Sequence, residues 1–396
     1  MKQTIIILSL FLTNTLFARE IYLFNLYPTL KKVPFVEIID KNTSLYPINN
    51  LTAAISSKEN PYKNLLWIKR DDLSDHPLGG NKARKLEFLM APANLYKKTS
   101  IITSGMIGSN HAFATSVAAK DMRINTTLLL GPQPVTENVK KKLLSFHALG
   151  SKIIHYKTKI GLGLGMIKYK IKSLFNSDMF IVPPGGTTSA STLGYANAYL
   201  EMIHQFSGQE LPKSIVVPMG TAGTSAGLLL GTCLAGHWEK VQIVAIGIAH
   251  SAILSNGRTV RNKAKQSFKY IKQHLNSDEV KKLKNCNFAT STKALKYIKE
   301  YSGPGYGQSS SEVYKDMRLL KRTENINLDP TYSGKAFHYF LDYAKSFIKM
   351  NKKLPKTVFW LTYNSYPLEN IINSYKWKHP SEKWRELPKK LWYIFQ

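Results

Sequence analysis

Short apolar runs alternate with longer segments of helical periodicity over most of the chain. The run Asn64–Leu73 predicts a strand leaving into a loop, and Asn81–Ala93 a helix, with Leu86 and Leu89–Met90 at helical spacing. The pattern then repeats. Strands are expected at 100–105, 125–131, 151–156, 179–186, 213–220 and 240–249. Helices are expected at 109–122, 135–150, around Ile167–Leu174, at 193–206 and at 225–237. Apolar strands alternating with helices predict an α/β fold with mostly parallel sheets. Ligands in such folds sit at the carboxyl ends of strands. Residues 251–302 read as a charged, helical insertion that could serve as a lid. The tail 376–396 carries Trp377, Trp384 and Trp392, which are expected to pack it onto the body.

Length changes this picture little: 396 residues allow two lobes. With 43% hydrophobic and 20% charged residues the chain is globular rather than disordered. The net charge of +30 raises the question of nucleic acid. The lysines are spread evenly, however, and neither a like-charge block nor zinc-ligand spacing is present, so no nucleic-acid partner and no metal are expected. Two cysteines make no disulfide framework, and Cys233 reads as a small core residue. The first 18 residues carry one lysine and an apolar run, Ile5–Phe17, ending at Ala18. This reads as a leader for export to the periplasm or beyond, leaving no stable membrane span once removed. An uncleaved anchor and a cytoplasmic chain are the alternatives.

Four stretches carry candidate chemistry. In IVVPMGTAGTSAGLLLG a strand ends at Met219, and Gly220, Thr221, Ala222, Gly223 and Thr224 lead into a helix. Glycines let a ligand approach, and helix N-terminal N–H groups favour an anion. In GGNKARKLEFL, Lys82 and Lys85 stand three apart on one helix face behind two glycines. Singly, each lysine would be a solvated side chain and the turn an ordinary connection. Together, a phosphate cup and a lysine suggest pyridoxal 5′-phosphate: Lys82 for its aldehyde, Lys85 for its phosphate, with the glycines letting Lys82 come close. In GSNHA, Ser109, Asn110 and His111 stand at a strand-to-helix turn, suited to a substrate carboxylate or to helix capping. Tyr306 follows Gly-Pro-Gly, and Tyr332 precedes a helix where it could stack on a flat ring. GLGLG at 161–165 precedes a helix without the context of a dinucleotide site.

These stretches, with GGTTSASTLGY, YSGPGYG and LDPTYSGKA, resemble in order the motifs of the 1-aminocyclopropane-1-carboxylate deaminase and D-cysteine desulfhydrase family. These are pyridoxal-phosphate enzymes of the two-lobed, tryptophan synthase β-like fold (fold type II), with the cofactor between the lobes. The resemblance runs from about Leu23 to Asn364. It implies that Lys82 is the Schiff-base lysine, that Lys85 assists the phosphate and that Gly220–Thr224 form the cup. It implies that Ser109, Asn110 and His111 bind substrate, with Asn110 also on the cofactor. Tyr332 would stack on the ring, Tyr306 would face the substrate, and Thr362 would meet the ring nitrogen. The catalytic set is then Lys82, Ser109, Tyr306 and Tyr332.

Expected domains are 1–18, the leader; 19–84 with 191–375, a discontinuous large cofactor-binding domain; 85–190, a small α/β domain; and 376–396, the tail. A homodimer acting on a small amino acid is expected. Family deaminases have a glutamate after the stacking tyrosine and a leucine at Thr362, whereas this chain has Ser333 and a hydroxyl, as on the desulfhydrase side. Elimination from D-cysteine is therefore the favoured reaction. A deaminase-like activity, or a weakened homologue that binds cofactor and amino acid, is the alternative. Leu361, Tyr363 and Asn364 replace the histidine and two glycines of the family pattern, which is expected to narrow the pocket.

Overall fold

The computed structural model describes residues 19–56, 61–74, 79–248, 256–364 and 366–396; the expected leader lies outside them. The chain opens with α1 (Tyr22–Leu26), β1 (Leu45–Pro47), α2 (Asn49–Ile55), β2 (Leu66–Arg70), α3 (Asn81–Leu89) and α4 (Ala91–Leu95). A first α/β block follows: β3 (Ser100–Met106), α5 (Asn110–Asp121), β4 (Asn125–Gly131), α6 (Glu137–Ala148), β5 (Lys152–His155), α7 (Lys159–Leu174) and β6 (Met179–Val182). The chain returns through α8 (Leu193–Gln205), β7 (Ser214–Met219), α9 (Gly223–Leu234), β8 (Gln242–Gly247), α10 (Gly257–Lys272), α11 (Ser277–Lys282) and β9 (Leu295–Ile298). It ends with α12 (Ser311–Glu324), α13 (Ser333–Lys349), β10 (Thr357–Leu361) and α14 (Leu368–Ser374).

Two sheets result, as an α/β fold with mostly parallel strands requires. One has six strands in the order β1-β2-β10-β7-β8-β9, parallel except for β1. The other has four parallel strands in the order β5-β4-β3-β6. Each is covered on both faces, which explains the continuous apolar strands. In the six-stranded sheet, alternate residues separate two cores. Val217, Ile243 and Trp360 face α8, α9 and α10, whereas Val216, Val244 and Phe359 face α12 and α13. In the four-stranded sheet, Leu128 and Leu130 face α5 and α6, whereas Ile102 and Leu129 face α7.

Several expectations change. The helix expected over 81–93 is two helices, because Pro92 lacks the N–H that would continue α3. GLGLG does not precede a helix; it lies inside α7, capped by the Thr158 hydroxyl, and a Cβ on Gly165 would strike the Tyr156 ring. The insertion is no lid over its described part, from Asn256 onward. β9 extends the large sheet, and Val260, Ala264 and Ile271 of α10 join the core beside α9. Cys233 is fully buried but is not a free thiol: it is bonded to Cys286, 53 residues away. The tail does pack down, with Trp377, Trp384, Leu391 and Ile394 on the core of the four-stranded half.

Candidate active site

The site is built around α3. Its N-terminus is fixed by Gly80, whose φ of +71° a residue with a Cβ would adopt only under strain. A Cβ there would also sit 2.8 Å from the Thr362 carbonyl and 3.0 Å from the Asn364 nitrogen. The glycine therefore lets the helix start press against the exit of β10. The Asn81 N–H seals this contact by donating to the Thr362 carbonyl at 3.0 Å.

From that start Lys82 and Lys85 project to the same side. The Lys82 amine donates to Asn81 Oδ1 at 2.8 Å, and Asn81 Nδ2 donates to Thr224 Oγ1 at 3.0 Å. This links the lysine to the glycine-rich turn. Burial pushes the Lys82 amine down to about 8, and Asp329 opposes the shift. Lys85 donates to the Gly185 carbonyl and to Thr187 Oγ1. Burial, aided by Lys82 and Lys263, holds Lys85 well below the ordinary lysine value.

The turn Gly220–Thr224 leads from β7 into α9, with Ala222 in the left-handed region at φ +65°. A second loop closes it. Thr187 Oγ1 and Thr221 Oγ1 are 2.8 Å apart, and a Cβ on Gly185 or Gly223 would collide with Thr221 or Thr187 respectively. Ser225 Oγ, fully buried in the first turn of α9, has no partner among the described residues. Open helix N–H groups, an orphaned hydroxyl, three threonines and Lys85 together fit a phosphate. Beside the cup, a Cβ on Gly220 would lie 3.2 Å from Tyr332 Cε1. The Tyr332 ring therefore packs directly against the start of the turn. Its hydroxyl donates to Tyr306 Oη at 3.1 Å, with the rings edge to face.

Ser109 caps α5, its Oγ accepting from the Ala112 N–H at 3.2 Å. Asn110 lines the cleft with Lys82 and Thr362. His111 Nε2 lies 3.1 Å from Thr103 Oγ1, whose hydroxyl donates to the Val182 carbonyl. Burial and the nearby Lys85 and Lys82 push the His111 imidazole far below its usual value, so it stays neutral.

Tyr363 and Asn364, expected from the sequence to narrow the pocket, line the cleft, and so do Phe113 and Lys142, which the sequence did not single out. Lys142, on α6, is 4% exposed and donates to Asn110 Oδ1, and burial pushes it down to about 7. A signal existed: Lys142 falls in register with Val139, Leu143 and Phe146, the buried face of an amphipathic helix. Thr187 and Gly185 lay within a quoted motif, but nothing in their spacing showed that they meet the turn after β7.

Comparison with known proteins agrees with this geometry. Residues 36–353 match the family described as pyridoxal-phosphate dependent enzyme. A Pyrococcus furiosus protein provisionally named 1-aminocyclopropane-1-carboxylate deaminase is 33% identical over 323 residues, covering 80% of this chain and 88% of that protein. D-cysteine desulfhydrase of Yersinia enterocolitica is 27% identical over 319 residues, covering 79% and 89%. The crystal structure of an ACC deaminase homologue superposes with a TM-score of 0.67 at 27% identity, covering 88% of this chain and 98% of that one. The cofactor is pyridoxal 5′-phosphate, and the chain belongs to the pyridoxal-phosphate-dependent enzymes of the 1-aminocyclopropane-1-carboxylate deaminase and D-cysteine desulfhydrase family.

Proposed function

We propose that the chain catalyses α,β-elimination from a small D-amino acid, D-cysteine before others, which with one water gives pyruvate, ammonia and sulfide. When bound, pyridoxal phosphate supplies an aldehyde for the substrate amine and a ring that takes up electrons from Cα. The remaining work falls to the chain. The N-terminus of α5, at Ser109 and Asn110, is placed to hold the substrate carboxylate, and Lys142 beside Asn110 adds a cation. Lys82, its amine held near 8, removes the Cα proton. Tyr332 donates its hydroxyl proton to Tyr306, which leaves the Tyr306 proton available to the departing sulfur.

One observation carries the choice of reaction. Ser333 follows Tyr332 where family deaminases have glutamate. It is fully buried, and its hydroxyl donates to Asp329 Oδ1 at 2.6 Å. No carboxylate stands at that position to hold the ring nitrogen protonated, and Thr362 offers only a hydroxyl. Opening a cyclopropane that has no α-proton needs the stronger electron sink. Losing an α-proton and then hydrosulfide needs less. The test is product analysis of the purified holoenzyme. Sulfide with pyruvate from D-cysteine is expected; 2-oxobutyrate from 1-aminocyclopropane-1-carboxylate without sulfide from D-cysteine would overturn the reading. Tyr363 and Asn364 in the cleft wall favour the second reading, a weakened homologue. Its mark would be a cofactor spectrum that shifts with D-cysteine while neither product forms.

We also propose that the chain is exported and its leader removed after Ala18. The bond between Cys233 and Cys286 supports an oxidising compartment. The Arg19 backbone nitrogen lies 3.1 Å from Glu37 Oε1, where a newly freed ammonium would find a carboxylate. Intact mass of the protein from its native cells, with and without thiol alkylation, reads both points; a full-length chain with two free thiols would sink them.

A further inference from the structure

Helix α7 has two apolar faces. Leu162, Met166 and Tyr169 pack inward on the four-stranded sheet. On the opposite side Ile160, Leu164, Ile167, Ile171 and Leu174, with Phe175 just beyond the helix end, are all exposed. Ile160 is 78% exposed, Leu174 75% and Phe175 87%. Their spacing of four and three residues places them in one stripe about 100° wide along the helix. Single exposed apolar residues need no account, but five aligned on one helix with a sixth just past its end form a patch that asks for a partner. No helix among the described residues is long and apolar enough to cross a membrane, so the stripe is not part of a span.

The charges around the stripe say what the partner is. Exposed Lys168 and Lys172 flank one edge, and exposed Lys159 and Lys170 the other. The sequence has no aspartate or glutamate between Glu137 and Asp178, so nothing nearby along the chain neutralises them. Two copies of this chain meeting stripe to stripe would bring eight lysines to the seam with no acids on either helix to pair them. An anionic surface resolves both features at once. Lysine stems lie along the apolar stripe while their ammonium groups reach lipid phosphates on either side. A helix with an apolar face bordered by lysines lies in the plane of the membrane interface. We infer that α7 docks the protein on the surface of an anionic lipid bilayer, with Ile160 to Phe175 inserted and the flanking lysines on the headgroups.

The test is vesicle flotation of the full-length holoenzyme. Expected is at least tenfold stronger binding to phosphatidylglycerol–phosphatidylcholine vesicles than to phosphatidylcholine alone, weakening as salt rises. The variant Ile167→Ser/Ile171→Ser leaves charge and leader unchanged and alters only exposed positions. It should lose at least tenfold in binding while keeping the cofactor spectrum. The variant Lys168→Gln/Lys172→Gln should lose the preference for the anionic lipid. Unchanged binding by the serine variant would overturn the inference, since leader or bulk charge would then be the anchor. So would a dimer in sedimentation equilibrium that the serine variant splits while no vesicle binds, which would make the occupant a second copy.

Discussion

The two sides of α3 both bury charge, and they use it in opposite ways. Behind the helix every charge has its counterpart. Arg84 is bonded to Asp71 at 2.9 Å and to Glu201 at 2.8 Å, Lys69 to Glu201 at 2.6 Å, and Arg19 to Glu87 at 2.6 Å. Tyr195 and Trp360 donate to the same Asp71. In front, Lys82, Lys85 and Lys142 are recessed without a carboxylate in ion-pair contact among the described residues; Asp329 acts on Lys82 and Lys142 only at longer range. A buried charge that is paired holds an element in place; a buried amine that is not waits for an anion or for chemistry. One nine-residue helix is thus clamped from behind and primed in front.

The sharpest way to break this contrast is to remove one member from each side. Lys82→Ala should lower kcat/KM by about 10³-fold or more, the scale on which a nucleophile and general base act. Borohydride reduction of the variant holoenzyme should give no mass gain, whereas the natural chain should gain one cofactor. Its unfolding free energy should not fall, because the amine removed was held in an unfavourable place. Glu201→Gln should do the reverse. It leaves Arg84 and Lys69 short of a buried counter-charge and should cost about 3–5 kcal/mol in urea unfolding. The fraction that stays folded should still attach cofactor. Loss of catalysis with stability intact in Glu201→Gln would mean that the clamp is part of the chemistry.

Lys85→Ala comes next in size. The residue contributes one charged hydrogen bond to the phosphate, so cofactor affinity should drop roughly 10- to 100-fold. The variant should recover activity when pyridoxal phosphate is in excess. A Lys85→Ala enzyme that stays inactive at saturating cofactor would move this lysine from holding the phosphate into the reaction itself.

How much of this was legible depended on whether the signal was local. The alternation of apolar strands and helices is a property of contiguous sequence, and it placed the four-stranded block β3 to β6 and the run β7 to β8. Lys82, Lys85 and the turn at 220–224 were legible for the same reason: each is a short motif. What was not legible arises from contacts between distant segments. Arg84 and Glu87 sit inside a quoted motif and Asp71 in the run before it, yet their role as a clamp depends on Glu201 and Arg19, which are far away in the chain. Cys233 looked like core because its neighbours are apolar, and only the return of the chain at β9 brings Cys286 to it. His111 was legible as a neighbour of Asn110, but its contact with Thr103 was not, because it joins α5 to β3.

The smallest expected effect separates the two sides by pH. Glu201 is held well below the usual carboxylate value by Arg84 and Lys69. A carboxyl depressed on folding stabilises the protein above its unfolded value, here 4.5, and that contribution is lost as pH falls below it. The front of the helix has the opposite window. Lys82 sits at about 8 and Lys142 at about 7 when folded, and both return to 10.5 when unfolded. Between those values the unfolded chain binds more protons, so stability without cofactor should rise as pH climbs from about 7 toward 10. Calorimetry of cofactor-free protein from pH 3 to 9.5 reads both limbs. Lys82→Ala should flatten part of the alkaline rise and leave the acid limb unchanged. Glu201→Gln should blunt the acid limb, and because Glu201 supports Lys69, which burial pushes down to about 8, it should steepen the alkaline rise rather than flatten it. A melting temperature that is flat between pH 7 and 9, or one whose rise survives Lys82→Ala intact, would mean that the front lysine is solvated like any other and that α3 is only clamped, not primed.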